Sequence, residues 1–255
     1  RRPRDAERIA AEVLKADPRH SRALHVFGCA LLMQGRPGEA IAPLEGAARG
    51  RQDPEVETQL AVALRQAEQS DEALQRLKRA IRRQPPYAPA FRELGNLLAF
   101  MKRYDEAIEV LRRGLDVAPM MPELSIQLGY ACLWCQDHGA AKAAFARALG
   151  ISPSSPDALL GMAKAHQEVG DNRPAAEFFR RYLVAAPSDQ SAWLHLGHCL
   201  LELGDLDAGY ECFRTAARGG AQLYGAALSS LAAAARGRFW MRPSAAVQFL
   251  RGAKS

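Results

Sequence analysis

Large apolar residues recur three and four positions apart along most of the chain, in runs of about a dozen residues broken by short polar turns. That spacing places them on one stripe of an α-helix, whereas the strict alternation of a half-buried strand does not appear. Residue choice agrees. Ala, Leu, Arg and Glu are plentiful, and the aromatics that strands favour make up 7% of the chain. The pattern predicts an all-α protein built from many helices of similar length.

The helices repeat. Pro85, Pro119, Pro153 and Pro187 each follow the last by 34 residues. A second register is Ala40, Ala73, Ala107, Ala141, Ala175 and Gly209, and a third is Gly28, Ala61, Gly95, Gly129, Ala163 and Gly197. Leu44, Leu77, Leu111, Phe145, Phe179 and Phe213 form a fourth. Each has a physical reason. The small residues mark places where two helices approach closely, and the large ones fill the space between one unit and the next. Gly35, Gly170 and Gly204 stand where first helices should end in a left-handed residue. Asp71, Asp105 and Asp207 stand where carboxylates should cap second helices, and the periodic proline closes each unit. A single unit cannot bury its own apolar faces, but a stack can.

At these residues the pattern resembles the tetratricopeptide-repeat family, whose signature is W-x2-L-G-x2-Y followed by Ala, an aromatic, Ala and Pro. Trp193, Leu196, Gly197, Leu200, Gly209, Phe213 and Ala216 carry one copy. Phe91, Leu94, Gly95, Tyr104, Ala107, Leu111 and Pro119 carry another. Glu57 and Ser125 replace the leading aromatic, and Gln52 and Ala221 replace the proline. The resemblance implies a right-handed helical solenoid of six complete helix-turn-helix repeats over 21–221, beginning near 21, 54, 88, 122, 156 and 190. Partial repeats are expected at both ends. Residues 1–20 match a second helix whose first is missing, and 222–255 hold a partial seventh repeat with a cap or linker. Phe239 and Trp240, within the basic-aromatic segment 236–243, are the candidate cover for the last repeat together with Phe249. The chain opens on Arg1 and shows no dedicated polar cap, so two readings stand side by side: a piece of a larger protein, or a last repeat covered by a short capping helix.

Composition then narrows the class. No run of some 18 apolar residues exists to span a membrane, and the opening residues lack a signal peptide's apolar stretch. Five cysteines, an odd and scattered count, argue against a disulfide framework, so a cytoplasmic protein is expected. A net charge of +6 is modest for 255 residues. Lys78, Arg79, Arg112, Arg113, Arg147, Arg180, Arg181 and Arg214 recur at one place in successive second helices, yet 28 acidic residues stand against 34 basic ones. That stripe reads as a solvated face, and nucleic acid is not the expected partner.

Candidate chemistry is sparse. Cys132-x2-Cys135 with His138 has metal-like spacing but lacks a fourth ligand. His195, His198 and Glu202 share one helical face, where ordinary polar contact outweighs a metal or a pH response. No phosphate loop, nucleophile elbow or zincin motif occurs, so no catalytic residue, metal or cofactor is expected.

The concave surface implied by the resemblance is the candidate site. Its inward positions include Arg92, Asn96 and Phe100; Ile126, Gln127, Tyr130 and Trp134; Leu160 and Lys164; and Leu194, His195 and His198. Arg92, Asn96 and Gln127 look like half of the carboxylate clamp that some relatives use, but Asp157 and Gly161 stand where its other basic residues would be. Phe100, Ile126, Tyr130, Leu133 and Trp134 are expected to form an apolar, aromatic anchor for partner side chains. The expected function is a protein-interaction scaffold that holds a peptide or partner segment in its groove. The alternative is a regulatory or targeting region of a larger enzyme, such as a glycosyl- or sulfotransferase. End-to-end self-association through exposed terminal repeats is a further expectation.

Overall fold

A computed structural model describes residues 2–50, 53–233 and 242–251. Gln52 and the residues 236–241, with Phe239 and Trp240, lie outside the described residues. Among those described there are 15 α-helices and no strand. In order they are α1 (Pro3–Ala16), α2 (Ser21–Met33), α3 (Pro37–Gly50), α4 (Pro54–Gln66), α5 (Ser70–Ala80), α6 (Ala88–Phe100), α7 (Tyr104–Val117) and α8 (Pro122–Trp134). There follow α9 (His138–Ile151), α10 (Pro156–Glu168), α11 (Asn172–Ala185), α12 (Gln190–Glu202), α13 (Leu206–Ala216), α14 (Ala221–Ala233) and α15 (Pro243–Arg251). The even-numbered helices are the first helices of the repeats, and all are 13 residues long. The chain is a tetratricopeptide-like helical solenoid. Its contacts divide it within α8 into two compact units, Arg1–Ala131 and Cys132–Ser255.

In the first unit each first helix packs on its own second helix (α2 on α3, α4 on α5, α6 on α7), and α1 packs on α2. Leu44, Leu60, Leu77, Leu94 and Leu111 run through its core. The registers of small and large residues meet there. A Cβ added to Gly28 would come within 2.5 Å of Leu44, and one on Gly95 within 2.6 Å of Leu111. So the large side chains of α3 and α7 wedge over the small residues of their own first helices, and glycine makes the room. The turn after α2 is pinned to α1, since Gln34 Nε2 and Arg36 Nη1 both donate to the Glu7 carboxylate, at 2.7 and 2.9 Å.

In the second unit the large residues of this register are aromatic. Phe145, Phe179 and Phe213 are fully buried, and the Phe213 ring lies 3.2 Å from where a Cβ on Gly197 would be. Gly197 and Gly209 also bring α12 and α13 into backbone contact, for a Cβ on Gly209 would be 3.2 Å from the Gly197 carbonyl oxygen. At the end of the chain α15 packs on α14, burying Ala246 and Leu250 with Ala227 and Leu231. Phe249 meets Tyr210 edge-on at 5.9 Å. Of the three aromatics expected to cover the last repeat, Phe249 does so.

The acidic residues differ from expectation. Asp71, Asp105 and Asp207 fall inside the first turns of α5, α7 and α13, one position past the start, where their charge complements the helix dipole. Side-chain caps come instead from Asp53 to Glu55 N, Asp137 to Ala140 N, Asp189 to Ala192 N and His20 to Ala23 N.

Every first helix from α2 to α12 ends in the same device. The residue two past the helix has positive φ: Gly35, Glu68, Lys102, Gln136, Gly170 and Gly204, at 72, 64, 60, 59, 78 and 82°. The next amide reaches back to close the helix, as in Arg36 N to Leu31 O at 3.0 Å and Arg103 N to Leu98 O at 2.8 Å. This is a Schellman motif, and three of its six copies place a side chain in the left-handed region. Glu68→Gly, Lys102→Gly and Gln136→Gly should therefore each stabilise the chain by about 0.5–1 kcal/mol in denaturant unfolding, after the entropy cost of glycine is counted. Unchanged or lowered midpoints would contradict this.

Candidate partner-binding surfaces

The first unit holds Arg92, Asn96, Phe100, Ile126, Gln127 and Tyr130. Arg92 and Asn96 are half-buried on α6, but Arg92 is already engaged, with Nε and Nη2 donating to the neighbouring Glu93 carboxylate at 3.1 and 2.7 Å. Arg65 approaches the same carboxylate at 3.9 Å. Glu93 is buried, and two guanidiniums neutralise it there. The half-clamp read from the sequence is thus partly spent on an internal ion pair. Asn96 Oδ1 is shut from solvent and has no donor.

Ile126 was expected on the open surface, but it is only 7% exposed and belongs to the interior. The reason is geometric. Positions four apart drift by about 40° around a helix, so 126, 130 and 134 turn through about 80° from core to solvent. Tyr130 is half-buried and Trp134 is 67% exposed. The neighbouring rows behave alike: Thr58 is buried, Val62 half-buried and Gln66 exposed. The open positions are therefore the last residues of the first helices. Met33, Phe100 and Trp134 occupy that one repeat position at 65, 74 and 67% exposure.

In the second unit Leu133, Leu160, Lys164, Leu194, His195 and His198 are all half-buried. Leu160 and Leu194 pack against core clusters. The imidazole of His195 stacks on Phe179 at 5.7 Å and 5° between planes. That of His198 sits edge-on to Phe213 at 5.2 Å and meets Ser230 Oγ through Nε2 at 3.1 Å. Both rings thus extend the aromatic wedges instead of standing open in a groove.

The family model described as "Tetratricopeptide repeat protein 21 N-terminal ARM repeat" matches residues 2–209. The chain belongs to the tetratricopeptide-repeat family. No curated protein gives a significant match. Among solved structures, that of PilF from Pseudomonas aeruginosa is similar at a TM-score of 0.72 and 20% identity, covering 80% of this chain and 95% of its own. The human IFIT1 dimer with m7Gppp-AAAA is similar at a TM-score of 0.66 and 17% identity, covering 98% and 67%. A thermophilic TPR protein of Thermus thermophilus gives 0.59 and 22%, covering 71% and 99%. At these identities the likeness is one of fold.

The tetratricopeptide framework also accounts for the residues with metal-like spacing. Cys132 is buried, Cys135 is exposed beyond the end of α8, and His138 Nδ1 lies 3.3 Å from the Glu168 carboxylate. Among the described residues no three His, Cys, Asp or Glu side chains gather as a metal site requires. Burial pushes the Cys29, Cys199 and Cys212 thiols up to about 11, which keeps them protonated at neutral pH. No described helix is long and apolar enough to cross a membrane. The arginine stripe of the second helices lies partly over rings: Arg113 over Phe91 at 5.9 Å and Arg181 over Phe178 at 5.4 Å.

Burial also pushes the imidazoles of His195 and His198 below their ordinary range. The Lys164 ammonium adds to the effect at His195, and the Glu202 carboxylate opposes it at His198. A folded chain that binds these protons less readily than the unfolded one is fully stable above the unfolded value near 6.5, and loses stability as pH falls through it. The thermal midpoint should drop between pH 7.5 and 5.5, and His195→Leu should make that drop shallower. An equally steep drop in the variant would contradict the assignment.

Proposed function

We propose that the chain is a protein-interaction scaffold that holds partner segments on the exposed ends of its first helices, with Met33 and Phe100 as anchors in the first unit and Trp134 as a separate anchor in the second. One observation carries the reading. At a single repeat position Met33, Phe100 and Trp134 stay more than half exposed, although the apolar residues around them are drawn into the core. Large, rigid aromatic side chains gain much from being covered and lose little entropy, so they make effective anchors. Polar groups lie close by in sequence and on the same helices. Asn96 carries a buried acceptor without a donor one turn before Phe100, and a rotating amide there can offer it to a docking backbone. Tyr130 and Gln127 stand one and two turns from the end of α8. Binding and positioning are the chemistry these groups support, and no catalytic role is assigned to any of them. A cytoplasmic protein partner fits this reading, and so does a second copy docking at an end repeat.

The arginine stripe does not favour nucleic acid as the partner, because several of its guanidiniums cover aromatic rings of the protein itself. The test is affinity capture with the intact chain, followed by titration of the recovered partner against variants. Phe100→Ala and Trp134→Ala should each weaken binding by about 2–4 kcal/mol, the range of interface anchors, with helicity and thermal midpoint unchanged. Unaltered affinity in both variants would overturn the assignment.

A further inference from the structure

A cavity of about 380 Å³ in the second unit lies at the junction of α13, α14 and α15. It is lined by Arg214, Arg218 and Arg251, and its remaining walls are Ala217, Ala221, Tyr224 and Leu250 with Gly220. Three arginines around one cavity gather positive charge there, which favours an anion. Arg214 is answered, because its Nη1 donates to Glu211 at 2.9 Å and its guanidinium lies over the Phe249 ring at 5.3 Å. Its Nε is nevertheless closed from solvent and without an acceptor. Arg218 and Arg251 are exposed and have no carboxylate partner among the described residues. Two solvent-exposed positive charges therefore stand beside a space whose walls are apolar.

The wall that holds these groups is fixed. Gly220 adopts φ 107° and ψ 178°, a conformation essentially open only to glycine, and this turns the chain sharply from Arg218 into α14. Tyr224 Oη donates to the Val247 carbonyl at 3.5 Å, tying α14 to α15 beside the cavity. The three arginines thus come from two helix ends and a turn, on backbone held by Gly220 and by the Tyr224 contact to Val247.

We propose that this cavity binds a phosphate monoester carried on an apolar or aromatic body. A monoester bears a charge of about −1.5 to −2 at neutral pH, which matches the two unanswered guanidiniums. Planar guanidiniums meet its oxygens in bidentate pairs, and a single carboxylate would leave one of them unmatched. The volume exceeds what a phosphate group fills, and the surplus is bounded by Ala217, Ala221, Tyr224 and Leu250, which suit a ring or an aliphatic stem. The site is separate from the exposed helix ends proposed above, so the failure of either reading leaves the other standing.

The experiment is calorimetric titration of the full 255-residue chain at fixed ionic strength. Phenyl phosphate should bind saturably, with inorganic phosphate and phenol each weaker by about tenfold or more. Arg218→Ala with Arg251→Ala, both at exposed positions, should weaken phenyl phosphate by about tenfold or more with helicity and thermal midpoint unchanged. Arg8→Ala with Arg173→Ala, which removes equal charge elsewhere, should change it less than about twofold. A peptide with one phosphotyrosine binding more tightly than phenyl phosphate assigns the ester to a protein, and equal binding assigns it to a small molecule. No saturable binding, equal binding by the cavity variant, or equal losses in both double variants would overturn the proposal.

Discussion

The contact on which the fold depends is the wedge between a large side chain of each second helix and a small residue of a first helix. Leu44 over Gly28, Leu111 over Gly95 and Phe213 over Gly197 are instances at close range. The wedge residue is buried completely in these repeats, so its volume must be matched within about a methyl group. The same wedge also reaches the next first helix. Phe179 stacks on His195, and Phe145 presses against Gly161 so closely that any Cβ there would overlap its ring.

This second contact joins the core to the surface chemistry. Where the wedge is leucine (Leu44, Leu77, Leu111), the residue at the equivalent repeat position of the next first helix is long and polar: Gln59, Glu93 and Gln127. Where it becomes phenylalanine, the facing residue is Gly161, which yields the space, or His195, which stacks in it. The long polar residue of this repeat position is therefore missing at Gly161 for a packing reason. Surface positions free of the wedge, such as Phe100 and Trp134 at helix ends, remain open to other uses.

Much of the fold was legible because the wedge imposes volume, and volume is written in residue type. Helix bounds followed from the registers, and three of the six helix ends were marked by Gly35, Gly170 and Gly204. The other three were not legible, since Glu68, Lys102 and Gln136 give no outward sign of a left-handed backbone; only their period does. The candidate site was half legible. Sequence placed Ile126, Tyr130 and Trp134 on one face, but that face turns with the helix, so Ile126 closed while Trp134 opened. His195 and His198 were seen as groove residues because the rings they pack on, Phe179 and Phe213, come from other helices. The arginine cavity was invisible because α13, α14 and α15 meet only in the folded chain.

The coupling between wedge and facing residue is tested most directly by a double-mutant cycle on Phe145 and Gly161, read by denaturant unfolding. Gly161→Gln alone should cost about 2 kcal/mol or more, because the new side chain must displace a buried ring. In the Phe145→Leu background, which restores the leucine–glutamine pairing of Leu44 with Gln59 and Leu111 with Gln127, the same substitution should cost at least about 1 kcal/mol less. Strictly additive costs would contradict the account.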